Sequence, residues 1–148
     1  VRVYLPVTLD EILGPFAARP AHAVTPALRA VLPDEDEETL EFAAQLAAAD
    51  DALNLLAEHA DAPRLRVVVS VDVPESAVGG VSDDALSPST VELLVAVGRE
   101  DIACAHVDEP AARADVEAAL AGDEAALERL EERDLLWYDV SELGSVPR

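Results

Sequence analysis

Leu65-Arg66-Val67-Val68-Val69-Ser70-Val71-Asp72-Val73-Pro74 alternates with a period of two. Leu65, Val67, Val69, Val71 and Val73 share one side; Arg66, Val68, Ser70 and Asp72 share the other. A β-branched run with this alternation reads as a strand, and Pro74 ends it by removing a ladder donor. Upstream, Phe42, Leu46, Ala49, Leu53, Leu56 and Ala60 recur at helical steps. They predict one long amphipathic helix over residues 36–60, packed on a sheet through this stripe.

Working towards the N-terminus, Val1, Val3 and Leu5 alternate with Arg2 and Tyr4, a first strand. Thr8-Leu9-Asp10-Glu11 has the form of a capping box, so a short helix is expected up to Gly14-Pro15. Residues 21–25 read as a short extended piece. Thr25-Pro26 reads as an N-cap followed by proline at the first helical position, opening a turn or two to Leu32.

Towards the C-terminus, residues 75–90 hold Gly79-Gly80, Ser82-Asp83-Asp84 and Ser87-Pro88-Ser89, a loop by composition. Residues 91–97 and 102–108 are two further strands. The short Gly98-Arg99-Glu100-Asp101 link predicts that they form a hairpin. Glu109-Pro110 starts a helix that Gly122 closes, Asp123 caps a second, and residues 135–140 supply a last strand bearing Trp137 and Tyr138. The expected fold is a single α+β domain over residues 1–148. It is a two-layer sandwich with a mixed or antiparallel sheet and helices mainly on one face, a ferredoxin-like split β-α-β arrangement.

Charge bounds the partners. Ten basic against 31 acidic residues give 10 − 31 = −21. Nucleic acid is not an expected partner, because neutralising phosphates takes a basic face, and an anionic membrane surface is disfavoured on the same ground. All ten basic residues are arginine, and alanine, valine and leucine dominate. GC-rich codon use and salt adaptation both produce such a bias. Residues 34–62 carry ten acids and no arginine, which reads as the solvated face and start of the long helix. The single cysteine, Cys104, excludes an internal disulfide and a multi-cysteine zinc site. Val1–Leu5 has no apolar signal-peptide core and no small-residue cleavage site, so the cytoplasm is the expected location.

Chemical motifs are sparse. The chain has no phosphate-binding Gly-rich loop, no dinucleotide turn and no nucleophile elbow, so neither a cofactor nor a metal is expected. His106-Val107-Asp108 places two polar residues on one side of a strand near its C-terminal end, where α/β folds tend to hold ligands. A facial iron triad built on that pair would need a later histidine, and none follows His106. The plain alternative has Asp108 capping the next helix. His22 is the other weak catalytic candidate. Arg2 and Tyr4 on the first strand, with Arg66, Ser70 and Asp72 on the third, would line an open sheet face if those strands are neighbours. The arginines could hold a small anionic ligand, pair internally, or be covered by a second copy of the chain.

The segments Arg2–Pro6, Ala21–Arg29, Asp72–Pro74, Ala105–Asp108 and Leu136–Tyr138 resemble an uncharacterised family of small single-domain actinobacterial proteins. The resemblance spans nearly the whole chain. It implies a high-GC bacterial cytoplasm and carries over no functional residue, because that family has no assigned activity. Two readings of function follow. The favoured one is a non-enzymatic binding or interaction module, a homodimer through its open sheet face being one form of it. The other is a small enzyme or anion-binding protein with Arg2, Arg66, His22, His106 and Asp108 around one pocket, His106 acting as general base.

Overall fold

The computed structural model describes residues 1–80 and 87–148; Ser82-Asp83-Asp84 of the expected loop lie outside them. Strands β1 (Arg2–Val7), β2 (Arg19–His22), β3 (Val67–Asp72), β4 (Val78–Gly79), β5 (Thr90–Leu93), β6 (Ile102–Val107) and β7 (Leu136–Asp139) form one sheet. Its order is β4-β5-β2-β1-β3-β6-β7, and every neighbouring pair is antiparallel. Helices α1 (Pro26–Val31) and α2 (Glu37–Glu58) connect β2 to β3; α3 (Arg113–Leu120) and α4 (Glu124–Glu132) connect β6 to β7. The fold is α+β, with an open antiparallel sheet. Because β2 and β3 both run antiparallel to β1, they are parallel to each other and flank it, a split β-α-β unit.

Local chemistry sets the helix ends. Thr25 Oγ1 accepts a hydrogen bond from the Leu28 N–H and caps α1; Asp36 accepts one from the Thr39 N–H and caps α2. His59 stands at the C-cap of α2, and Asp123 caps α4 through the N–H groups of Ala125 and Ala126. The expected capping box at Thr8 does not operate. The Thr8 hydroxyl donates to Asp10 instead, and only a 3-10 turn forms over Leu9–Glu11.

The two sheet faces are covered in the opposite sense to the sequence expectation. The valine-rich face (Val3, Leu5, Val7, Val67, Val69, Val71, Val107) packs under irregular segments that contribute Leu9, Ile12, Phe16, Val97 and Leu143. Helix α2 lies instead on the mixed face, where Tyr4 and Val68 pack against Leu40, Ala44, Ala48 and Ala49. Helix α2 therefore roofs part of the polar face, over Tyr4 and Val68.

Two further expectations are corrected. Strands β5 and β6 do not form a hairpin: β2, β1 and β3 lie between them. The link is too long for a two-residue turn. It leaves β5, bridges Val97 to Phe16 beneath the sheet, and turns through Arg99–Asp101 into β6. The long helix also sits rotated from its expected stripe. Ala44, Ala48 and Ala52 are completely buried, whereas Phe42 is 50% and Leu46 47% exposed. Small side chains let α2 approach a face carrying tyrosine, histidine and serine, and the large ones are displaced to its flank.

Candidate functional site

That displacement opens a groove. Along one wall α2 presents Phe42, Gln45, Leu46, Ala49 and Asp50; along the other, the end of α4 and the start of β7 present Leu130, Glu131, Asp134, Leu135 and Trp137. Arg66 and His106 lie on its floor, and the cavity measures about 680 Å³. A shallower extension of about 300 Å³ continues over Tyr4, Ser70 and Cys104 to Arg2, with Glu38 and Glu41 at its rim. Phe42, Gln45, His106 and Trp137 border both parts, so they form one continuous trough.

Register explains why these side chains meet. Tyr4 pairs with Ser70, and Ser70 with Cys104, giving one cross-strand row on the α2 side of the sheet. Val68, His106 and Trp137 form the adjacent row. Residues on the same side of neighbouring strands necessarily share a face. At the edge of the sheet, Trp137 is 59% exposed although it borders the apolar part of the trough.

The arginines of this region are neutralised. Arg66 is buried and forked onto Asp108, its Nε donating to Oδ2 at 2.9 Å and its Nη2 to Oδ1 at 2.8 Å. Arg2 is forked onto Asp72, with both bonds at 3.0 Å. Arg133 pairs with Glu109 and reaches Asp115 at 3.6 Å. Glu38, Glu41, Asp50, Glu131 and Asp134 line the same trough with no arginine partner among the described residues. Its uncompensated charge is negative.

Ionisation follows these surroundings. Desolvation by burial, reinforced by Glu131, raises the Asp50 carboxyl above its ordinary value, with Arg66 and His22 pulling weakly the other way. Burial and the Glu41 charge push the Tyr4 phenol up to about 12, so it stays neutral. Burial lowers the His106 imidazole below its ordinary value, which favours the neutral ring at pH 7. Two buried polar atoms on the floor, Ser70 Oγ and His106 Nδ1, have no hydrogen-bond partner among the described residues. Such atoms are rare in folded proteins.

Of the residues expected from sequence, Arg2, Tyr4, Arg66 and His106 border the trough, whereas His22 and Asp108 do not. Asp108 caps no helix; it holds Arg66, also accepting that residue's backbone N–H at 2.9 Å. Tyr4 is buried beneath α2, and Arg2 sits at the exposed end of the sheet on Asp72. With β1 and β3 between their strands, His22 and His106 are roughly 14 Å apart at a strand spacing of about 4.8 Å. The five residues of the enzyme reading therefore do not surround one pocket.

His22 has partners of its own. Its Nδ1 is 2.7 Å from Ser89 Oγ and its Nε2 is 2.5 Å from Asp51 Oδ2. Serine, histidine and aspartate in a chain suggest a nucleophile, yet His22 is 2% and Ser89 1% exposed. The chain's evident work is to pin the start of β5 and the middle of α2 onto β2. No local motif announces it, since the residues lie at positions 22, 51 and 89. Among the described residues, no group of three or more histidine, cysteine or carboxylate side chains is placed to hold a metal ion. No described helix is long and apolar enough to cross a membrane.

Sequence reasoning missed Phe42, Leu46 and Trp137 as site residues. A signal was present: the helix stripe contains two competing rows, and the all-alanine one fits close packing on a sheet. No curated protein sequence and no solved structure matches the chain. A family model covers residues 1–146, and the chain belongs to that family, the family of unknown function DUF6912.

Proposed function

We propose that this protein is a non-enzymatic binding module whose ligand is a basic, partly apolar segment of another protein, held in the trough between α2 and β7. The observation that carries the reading is the pairing of exposed Phe42, Leu46 and Trp137 with a carboxylate lining whose nearby arginines are already engaged. Large apolar side chains bordering a concave site supply burial energy; Phe42 alone would contribute about 1 kcal/mol on losing its exposed half. The carboxylates then select a cationic partner over an anionic one, and a net charge of −21 speeds its approach.

Two other occupants are disfavoured by the geometry. An anionic ligand loses its attraction, because Arg2 and Arg66 are bound to Asp72 and Asp108. A homodimer through the polar sheet face is opposed by α2, which covers part of that face, and by repulsion between two acidic copies. Nucleic acid and anionic membranes are disfavoured by the same charge. The reading places the module in the cytoplasm of a high-GC actinobacterium as a single domain, supported by its lysine-free, alanine-rich composition.

Trp137 is the only tryptophan, so its emission reports on the trough directly. The test titrates the protein with a short peptide alternating arginine and leucine, and with its glutamate–leucine counterpart. A saturable change in emission with the basic peptide alone supports the proposal. No change with either, or equal changes with both, would overturn it.

A further inference from the structure

The shallow end of the trough has a more specific chemistry than its remainder. Ser70 is 1% exposed, and its Oγ has no hydrogen-bond partner among the described residues. His106 Nδ1 is likewise buried and unpaired in the neighbouring cross-strand row. Such unpaired buried atoms are rare in folded proteins, and a hydrogen-bonding group taken into the subsite would satisfy them. We infer that the subsite floored by Ser70 and His106 takes one guanidinium or ammonium group, the side chain of an arginine or lysine in the partner segment. The inference rests on the reading of the trough as a site for a basic partner and names the group that anchors it.

Polarity decides the class of group. A serine hydroxyl offers lone pairs, and a neutral imidazole with its proton on Nε2 offers another at Nδ1. Glu38 and Glu41 stand at the rim, so a carboxylate or phosphate entering here meets like charge. Arg2, the one arginine bordering the subsite among the described residues, is engaged by Asp72 on both sides of its fork. Phe42 and Trp137 add aromatic rings at the mouth, against which a planar cation stacks favourably. A space of about 300 Å³ admits one long side chain, not a folded segment. A guanidinium carries several N–H donors and a positive charge, which suits both the acceptors on the floor and the carboxylates at the rim.

The experiment uses n-butylguanidinium as the probe and n-butylurea, its uncharged analogue, as the control. Nuclear magnetic resonance follows the single indole N–H of Trp137 and the His106 imidazole. Saturable shifts at both residues with n-butylguanidinium alone are expected. Ser70→Ala should weaken them about tenfold, a change of about 1.4 kcal/mol. Glu41→Gln, on the surface of α2 and harmless to folding, should weaken them in the same direction and serves if Ser70→Ala proves unstable. Equal shifts from n-butylurea, or unchanged binding in both variants, would overturn the inference. If the arginine–leucine peptide binds while n-butylguanidinium does not, the subsite is wrong and the trough reading survives. If neither binds, both fail.

Discussion

Asp108 accepts three hydrogen bonds from one residue: the backbone N–H of Arg66 at 2.9 Å, its Nε at 2.9 Å and its Nη2 at 2.8 Å. Both side chains are buried, and Arg66 also donates to the Leu130 carbonyl at 3.3 Å, which ties α4 to the sheet. A buried pair of this kind is more costly to break from one side than to replace entirely. Asp108→Ala leaves a buried guanidinium uncompensated and should cost about 3–5 kcal/mol in urea denaturation. The double variant Arg66→Met with Asp108→Ala should lose less than the two single variants summed. Strict additivity would show that the pair is not coupled.

Ser89 should be inert. Buried beside His22, its hydroxyl is closed to an electrophile. A fluorophosphonate probe is expected to leave the native protein unlabelled, and Ser89→Ala should cost about 1–3 kcal/mol as His22 loses a partner. Labelling at Ser89 in the native state would reopen an enzymatic reading.

Asp50 is held against its preference. Its carboxyl is raised by burial and by Glu131, so its folded value lies above its unfolded one. A group raised in this way favours the fold at low pH, and that contribution is lost as pH rises through the folded value. At pH 7 the ionised group is a cost. Asp50 is exposed, so solvent screens the effect; Asp50→Asn should leave stability at pH 7 equal or slightly higher while weakening cationic ligands. A loss of stability would show that Asp50 is held by an attraction instead.

Stability should fall off towards acid and base for separate, assignable reasons. His106 is lowered in the fold, so below about 6.5 the unfolded chain binds the proton more readily and stability declines as pH drops further. Tyr4 is raised from 10.0 to about 12; from pH 10 upward the unfolded phenol ionises first, and stability is lost through pH 12. His106→Phe should flatten the acid limb, and Tyr4→Phe the alkaline one, in thermal melts across pH. Limbs unchanged in those variants would assign the losses elsewhere.

Much of this architecture was legible because local chemistry and tertiary packing agree. The valine alternation of β3, the Thr25-Pro26 and Asp36 caps, and Gly122 after α3 all mark real boundaries. What failed was the assignment of faces. The stripe through Phe42 and Leu46 is the more hydrophobic row of α2, and burial energy alone favours it. The α2 side of the sheet carries Tyr4, Ser70 and His106, and it is the narrow Ala44-Ala48-Ala52 row of α2 that is completely buried. A one-dimensional pattern records which residues are apolar, not how near two surfaces come. The β5–β6 pairing failed likewise, since the crossing beneath the sheet depends on Phe16 and Val97, far apart in sequence. The candidate site was half visible: His106, Tyr4 and Arg66 were named, but their partners and walls come from distant elements.

The most direct test compares the wild type with Phe42→Ala/Trp137→Ala for binding of the arginine–leucine peptide by calorimetry. Both side chains are at least half exposed, so the melting temperature should stay nearly unchanged. Truncating two aromatic anchors should weaken binding at least about tenfold, the weaker end of what such residues contribute to an interface. Equal affinity in the wild type and the double variant, with both proteins folded, would contradict the account.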